Sequence, residues 1–278
     1  FTEEVNNSVQ SQDGNVSVSL LGNESSGIQV NGGNVTMTGT INVSGNEFGG
    51  IELCHGGALD LTGATLKCDD EADSKPVLWN DDTKGTITYG TQVLGKKAVN
   101  DSKDHYYLYV AKIGETKYES LAEAIAAVPA GGSTPTTITM LCDVTNAVGI
   151  SVPSNKNFIV DFDGHTYTVN KPGAGSTGTT TQAFQLIAGS TVVFKNGTID
   201  VAEDNLTTAT VGKNIKRLIQ NYANLTLENM TLDGTNLYVN DSNTNRAVVE
   251  TANGSVSITG STSIAGKKDG DVRALNVD

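Results

Sequence analysis

Apolar and polar residues alternate in short runs along most of this chain, and in its second half one such run is written four times. The copies are Phe158–Asn170, Thr191–Ala202, Asn224–Thr235 and Ser255–Gly266. Val160, Val192, Leu225 and Val256 share one apolar position; Phe162, Phe194, Leu227 and Ile258 share the position two residues on. A polar corner follows, with Gly164, Asn196, Asn229 and Gly260 in one column and Thr166, Thr198, Thr231 and Thr262 in another. Tyr167, Ile199, Leu232 and Ile264 then resume the apolar pattern. A period of two residues is that of a strand with one face buried. The copies lie roughly 31 to 33 residues apart, and such a period marks stacked repeats, each unable to hide its apolar side alone.

The first third carries the same pattern in shorter coils, of about 23–27 residues against 32. Inward columns are expected at Ile28, Ile51 and Val77, at Val30, Leu53 and Trp79, and at Val35, Leu59 and Ile87. The expected fold is therefore all-β, a parallel β-helix with three short strands per coil and one short capping α-helix. That helix starts at Ser120, whose capping box is completed by Glu123. Leu121, Ile125 and Val128 share one of its faces, and Pro129-Ala130-Gly131-Gly132 ends it. A helix at this point would cover the open end of a solenoid, whose exposed strand edge needs protection. Residues 100–118, with the tyrosine-rich run 106–110 and a turn at Gly114-Glu115, read as a boundary. The division expected is 1–99 for a first β-helix unit and 100–278 for a capping hairpin, helix and second unit.

Longer coils in the second unit come from insertions at one place, 171–182, 203–216 and 235–246. Loops inserted at the same corner of successive coils gather on one flank, and loops on a rigid scaffold are where binding resides. Lys171, Lys213, Lys216, Arg217 and Arg246 all fall there. On an otherwise acidic chain this makes the flank the candidate surface for an anionic or polyhydroxyl partner.

Composition narrows the function classes. A net charge of −13 repels polyanions, so nucleic acid is not an expected partner. No apolar run approaches the ~20 residues that span a bilayer. The chain begins at Phe1 without an initiator Met, which reads as the start of a trimmed or processed chain. Three cysteines at no metal-ligand spacing imply no disulfide framework. Cys68 and Cys142 read as small core residues, and Cys54 as a turn residue that could be reactive.

The segment YESLAEAIAAVPAGGSTPTTITMLCDV, followed by NFIVDFDGHTYTV, resembles the opening of pectate-lyase-like β-helix domains in large surface proteins of gut and other anaerobic bacteria. GIQVNGGNVTMTGTINVSGN resembles the Gly/Thr-rich repeats of the same kind of protein. The resemblance covers the chain from about residue 14. It implies a right-handed coil, export, and display on a bacterial cell surface. It does not choose among lyases, hydrolases, adhesins and spacers, which share this scaffold.

An enzyme of this kind would act on acidic polysaccharide, and its candidate acids are Asp161, Asp163, Asp200 and Asp233. Asp161 and Asp163 are two apart and share a face, and fold-level analogy would make them the two carboxyls that glycoside hydrolysis needs, yet the phrase Asp161-Phe162-Asp163-Gly164-His165-Thr166 also reads as a turn in which Asp bonds local backbone. His165 reads as an outward corner residue without a partner carboxylate. Asp200 and Asp233 lie in register one coil apart and would admit Ca²⁺, although that ion wants six to eight oxygens and no third acid is in register. Otherwise no cofactor is implied. The Asn196–Asn229 column reads as an inward-turned ladder. The leading expectation is a non-catalytic, adhesive or structural segment, holding a glycan or host protein on the looped flank. The rivals are a polysaccharide lyase or glycoside hydrolase, and a ligand-free stalk.

Overall fold

The computed structural model describes residues 17–19, 26–43, 46, 48–66, 76–89, 94–97, 103–176, 179–203, 215–238, 246–267 and 272–278. Among them a single helix, Leu121–Ala127, interrupts an otherwise all-β chain, and no helix is long and apolar enough to cross a membrane. The chain divides into two compact units, 1–109 and 110–278.

In the first unit two parallel sheets form from successive coils. Ile28 pairs with Ile51 and Val30 with Leu53 in one sheet, while Val35, Leu59 and Ile87 line up in the other, as expected. The third tier of the first sheet differs by one residue. Leu78 sits opposite Ile51, Asn80 opposite Leu53, and Trp79 opposite Glu52. The run Val77-Leu78-Trp79-Asn80 offers apolar residues in both phases, so alternation alone cannot choose. Asn80 goes inward, 2% exposed, because its amide closes the following turn, donating to Gly85 O (2.9 Å) and accepting from Gly85 N (3.1 Å). Trp79 is thereby turned to the outer face. The strand Asp104–Leu108 pairs antiparallel with Leu78–Asn80 and with Leu94–Lys97, and so belongs to this first unit.

The second unit stacks its repeats in parallel register. Thr191–Val201 runs beside Asn224–Asp233, with Val192 opposite Leu225, Phe194 opposite Leu227 and Ile199 opposite Leu232. Two of the three strands expected per coil join here into one bent strand, because the corner between them keeps its ladder. One coil departs from the aligned columns. Phe158 sits opposite Val192, Val160 opposite Phe194 and Asp161 opposite Lys195, yet Thr166 is opposite Thr198. The stretch 162–165 therefore spans with four residues what 196–197 spans with two. Phe162 turns inward there, fully buried and edge-on to Phe194 at 5.9 Å. Its tier partner at the corner must be glycine: a Cβ on Gly197 would lie 2.2 Å from Phe162 Cβ. In the last coil Ser263, not Thr262, faces Thr231, and Thr262 instead accepts at Oγ1 from Met230 N–H (3.2 Å).

Phe184, Phe194 and Tyr167 join Phe162 in an aromatic centre, with ring centroids 5.1–5.9 Å apart. Full burial of each such side chain contributes about 1.5–3 kcal/mol. The near edge of the stack is closed by the hairpin Ala111–Ile113/Thr116–Tyr118, turned at Gly114-Glu115, which pairs antiparallel with Thr136–Met140. The helix packs beside it. Ser120 Oγ accepts from Glu123 N–H (3.0 Å), Glu123 Oε2 accepts from Glu119 N–H (3.2 Å), and Leu121, Ile125 and Val128 are buried. Lys156, only 8% exposed, ties down the other end of the helix by donating from Nζ to Ala126 O (3.0 Å) and Val128 O. A cation is favoured at a helix C-terminus, where carbonyls lack partners.

The cysteines depart from expectation. Cys54 ends the strand Ile51–Cys54 and is 4% exposed, its Sγ donating to Val30 O (3.8 Å). Burial, with Glu52, Asp81 and Asp82 nearby, pushes its thiol up, so it is not a reactive thiol. Cys142 follows the strand that ends at Met140 and is half-buried rather than a fully buried core thiol. Cys68 lies outside the described residues.

Candidate functional site

The insertions of the second unit start and finish on one flank. They leave from the ends of Thr166–Lys171, Thr191–Val201 and Asn224–Asp233, which are laddered side by side. They return to the starts of Thr179–Leu186, Arg217–Asn221 and Arg246–Thr251, which are also neighbours. Where described, these connections bond to the coils beside them. Lys216 N–H donates to Thr181 O (2.7 Å), Tyr238 N–H to Ile215 O (2.9 Å), and Asn236 Nδ2 to Val201 O (3.0 Å).

The strands entered from this flank carry a polar row that sequence reasoning missed. Ser151, Gln185, Gln220, Glu250 and Asn276 are successive register partners. Gln185, Gln220 and Glu250 are 8%, 5% and 6% exposed, unusual burial for residues of these types. Asn276 Nδ2 donates to Glu250 Oε1 (2.8 Å), and Gln220 Nε2 reaches Glu250 O at 3.5 Å. Arg217 Nε lies 3.6 Å from Glu250 Oε2, and Gln182 is the register partner of Arg217. The available signal was one polar residue after two apolar ones in each of three triplets, Ala183–Gln185, Leu218–Gln220 and Val248–Glu250. It was hidden because the repeated phrase begins after them.

Of the five flank cations, Arg217 is thus built into a site. Lys171 is exposed at the end of its strand, and Lys216 is half-buried beside Thr181. Arg246 stands opposite Val272 in the ladder, its side chain outside the described residues, as is all of Lys213.

The four candidate acids do not converge. Asp161 is held by Lys195 Nζ (2.9 Å), Asn196 Nδ2 (3.0 Å) and the Asp163 N–H (3.1 Å). Burial raises its pKa, but the bonds from Lys195, Asn196 and Asp163 outweigh that and leave it below the usual carboxylate range. Asp163 is exposed in the turn itself, at φ +50°. Asp233 accepts from Thr235 N–H (2.9 Å) and Oγ1 (2.7 Å). Asp200 is half-buried, the register partner of Thr168. Among the described residues no three His, Cys, Asp or Glu side chains are grouped to hold a metal ion, around Asp200 and Asp233 or elsewhere.

His165 does have a carboxylate partner. Asp143 Oδ1 lies 3.1 Å from its Nδ1 and also accepts from Thr166 N–H (3.1 Å). Asp143 precedes the first copy of the repeat and so had no column. The Asn196–Asn229 ladder exists, with Asn229 Nδ2 donating to Asn196 Oδ1 (3.3 Å) and Asn229 Oδ1 accepting from Ser261 N–H (3.0 Å). It faces outward, however. Both residues sit at positive φ (+59° and +52°), and Asn229 is exposed. The inward asparagine is Asn221, fully buried, donating to Thr251 Oγ1 (3.3 Å) and Ser255 O (2.9 Å) and accepting from Ala223 N–H (2.9 Å). In the first unit the outward Trp79 has Lys103 Nζ 4.2 Å from its ring centroid and donates from Nε1 to Ser26 Oγ (3.3 Å), so part of its surface is already engaged.

Compared with family models, curated proteins and solved structures, the chain matches none of them.

Proposed function

We propose that this chain is part of an exported bacterial surface protein, a right-handed parallel β-helix that displays a glycan-binding flank without catalysing a reaction. The observation that carries the reading is the Gln185–Gln220–Glu250 row with Arg217, set in the strands entered from the looped flank. Amides, a carboxylate and a guanidinium in fixed positions are the groups that bond sugar hydroxyls, and a strand scaffold holds them rigid. Parallel register from coil to coil supports the β-helix. Asp161 and Asp233 are committed to turns and corners, which supports a non-catalytic role.

A glycan array of acidic, neutral and host-type sugars tests the reading, with the expectation of micromolar to millimolar binding that Arg217→Ala weakens. Silence on the array would leave a ligand-free stalk or a protein-binding segment. One observation favours a second reading, a polysaccharide lyase or glycoside hydrolase: the Asp143–His165 pair is about one-third exposed and arranged as a base with its orienting carboxylate. Pectin and alginate digests assayed for new reducing ends or unsaturated products decide between them. Turnover abolished by His165→Ala or Asp200→Asn would replace the adhesive reading with the enzymatic one.

A further inference from the structure

The polar row holds one acceptor that the fold leaves without a donor, and Gln182, the register partner of Arg217 outside the row, holds another. Glu250 Oε2 and Gln182 Oε1 are buried, and among the described residues neither receives a hydrogen bond. Both side chains belong to residues more than nine-tenths buried, at 6% and 7% exposure. Arg217 Nε, at 3.6 Å, neutralises the Glu250 charge but is too far to count as a hydrogen bond. Gln182 spends its amide nitrogen on Thr181 Oγ1 at 3.4 Å, leaving its carbonyl oxygen to be satisfied otherwise. A buried polar atom without a partner is rare in folded proteins and needs an explanation.

We infer that the looped flank takes a neutral, hydroxyl-rich glycan in preference to an acidic one, an inference that rests on the glycan-binding reading above. The unmet groups are acceptors, so the ligand must present donors, and a sugar hydroxyl is a donor that also accepts from Arg217. A uronate would bring its own carboxylate against Glu250 on a chain that already carries −13. Like charges in a partly buried setting oppose binding strongly, because screening there is weak. A metal ion is the other species that seeks acceptors, but Arg217 beside Glu250 repels it, and one carboxylate is too few ligands. Specificity then follows the rule that a site built to bond hydroxyls rejects ligands that lack them.

The test is calorimetric titration of the full chain with neutral linear hexasaccharides (gluco-, manno- and galacto- series) and with hexagalacturonate, all at the same low salt. At least one neutral series is expected to bind at least tenfold more tightly than the uronate. Glu250→Gln, which turns one acceptor into a donor, should weaken that binding tenfold or more with its melting temperature within a few degrees of the parent. Gln182→Met, which keeps volume and removes the acceptor, should weaken it severalfold. If Glu250→Gln does not fold, Gln182→Met alone decides. Tighter binding of the uronate, or neutral binding indifferent to the replacements, overturns the inference while leaving a glycan-binding flank in place. Failure of every sugar to bind removes both.

Discussion

The corner column Asp161–Asn196–Asn229 and the row Gln185–Gln220–Glu250 both repeat tier by tier in the second unit, yet they differ in every physical respect. The corner is partly or fully exposed, its asparagines are chosen by backbone conformation, and its members bond mainly to one another. The row is buried, sits in regular strand, and leaves an acceptor unmet. An exposed column can exchange each lost bond for water, so it tolerates change. A buried one cannot, and an unpaired atom there carries its full desolvation cost. What looks like a ladder in both places is a turn device in one and a candidate binding surface in the other.

Substitutions ordered by burial should expose this contrast. Asn221→Leu is expected to cost the most, about 3–4 kcal/mol by urea unfolding, since three partners lose a buried bond together. A loss below about 1 kcal/mol would mean that burial does not set the cost. Lys156→Met should cost about 2 kcal/mol by freeing the helix carbonyls of Ala126 and Val128. Hydrogen exchange would report it as earlier opening of residues 121–127 than of the strands.

Asn229→Leu at the exposed corner should cost about 1–2 kcal/mol, most of it from placing a branched residue at φ +52°. Asn229→Gly, which accepts that φ, should recover all but a few tenths of a kcal/mol. If the glycine variant melts as low as the leucine one, the ladder bonds and not the backbone dominate, and the distinction between the two columns weakens.

Asp161→Asn is the smallest change expected at neutral pH, below about 1 kcal/mol for a partly solvated pair. Its signature is in the pH dependence. The folded-state pKa lies beneath the unfolded value of about 3.9. The carboxylate therefore stabilises fully above that value, and the contribution is lost as pH falls through the folded pKa. Denaturant midpoints measured from pH 6 down to pH 2 should fall less steeply in the Asn variant than in the parent.

The periodic copies and the cap were legible because they are local. Val192 meets Leu225, and Ser120 pairs with Glu123, as alternation and spacing required. The Asp143–His165 contact and the polar row were not, because each joins residues from different coils outside the aligned phrase.

The primary structure by itself determined that short strands would alternate faces, that they would stack at a constant period, and where one helix would begin. It did so because those properties depend on neighbours two to four residues away. Only the folded molecule decided that Trp79 turns out while Asn80 turns in, and that 162–165 makes a wider corner than 196–197. Only there did Arg217 come to stand beside Glu250. A strand has two faces, and a slip of one residue exchanges them. The choice falls to whichever face finds its partners in the coils above and below.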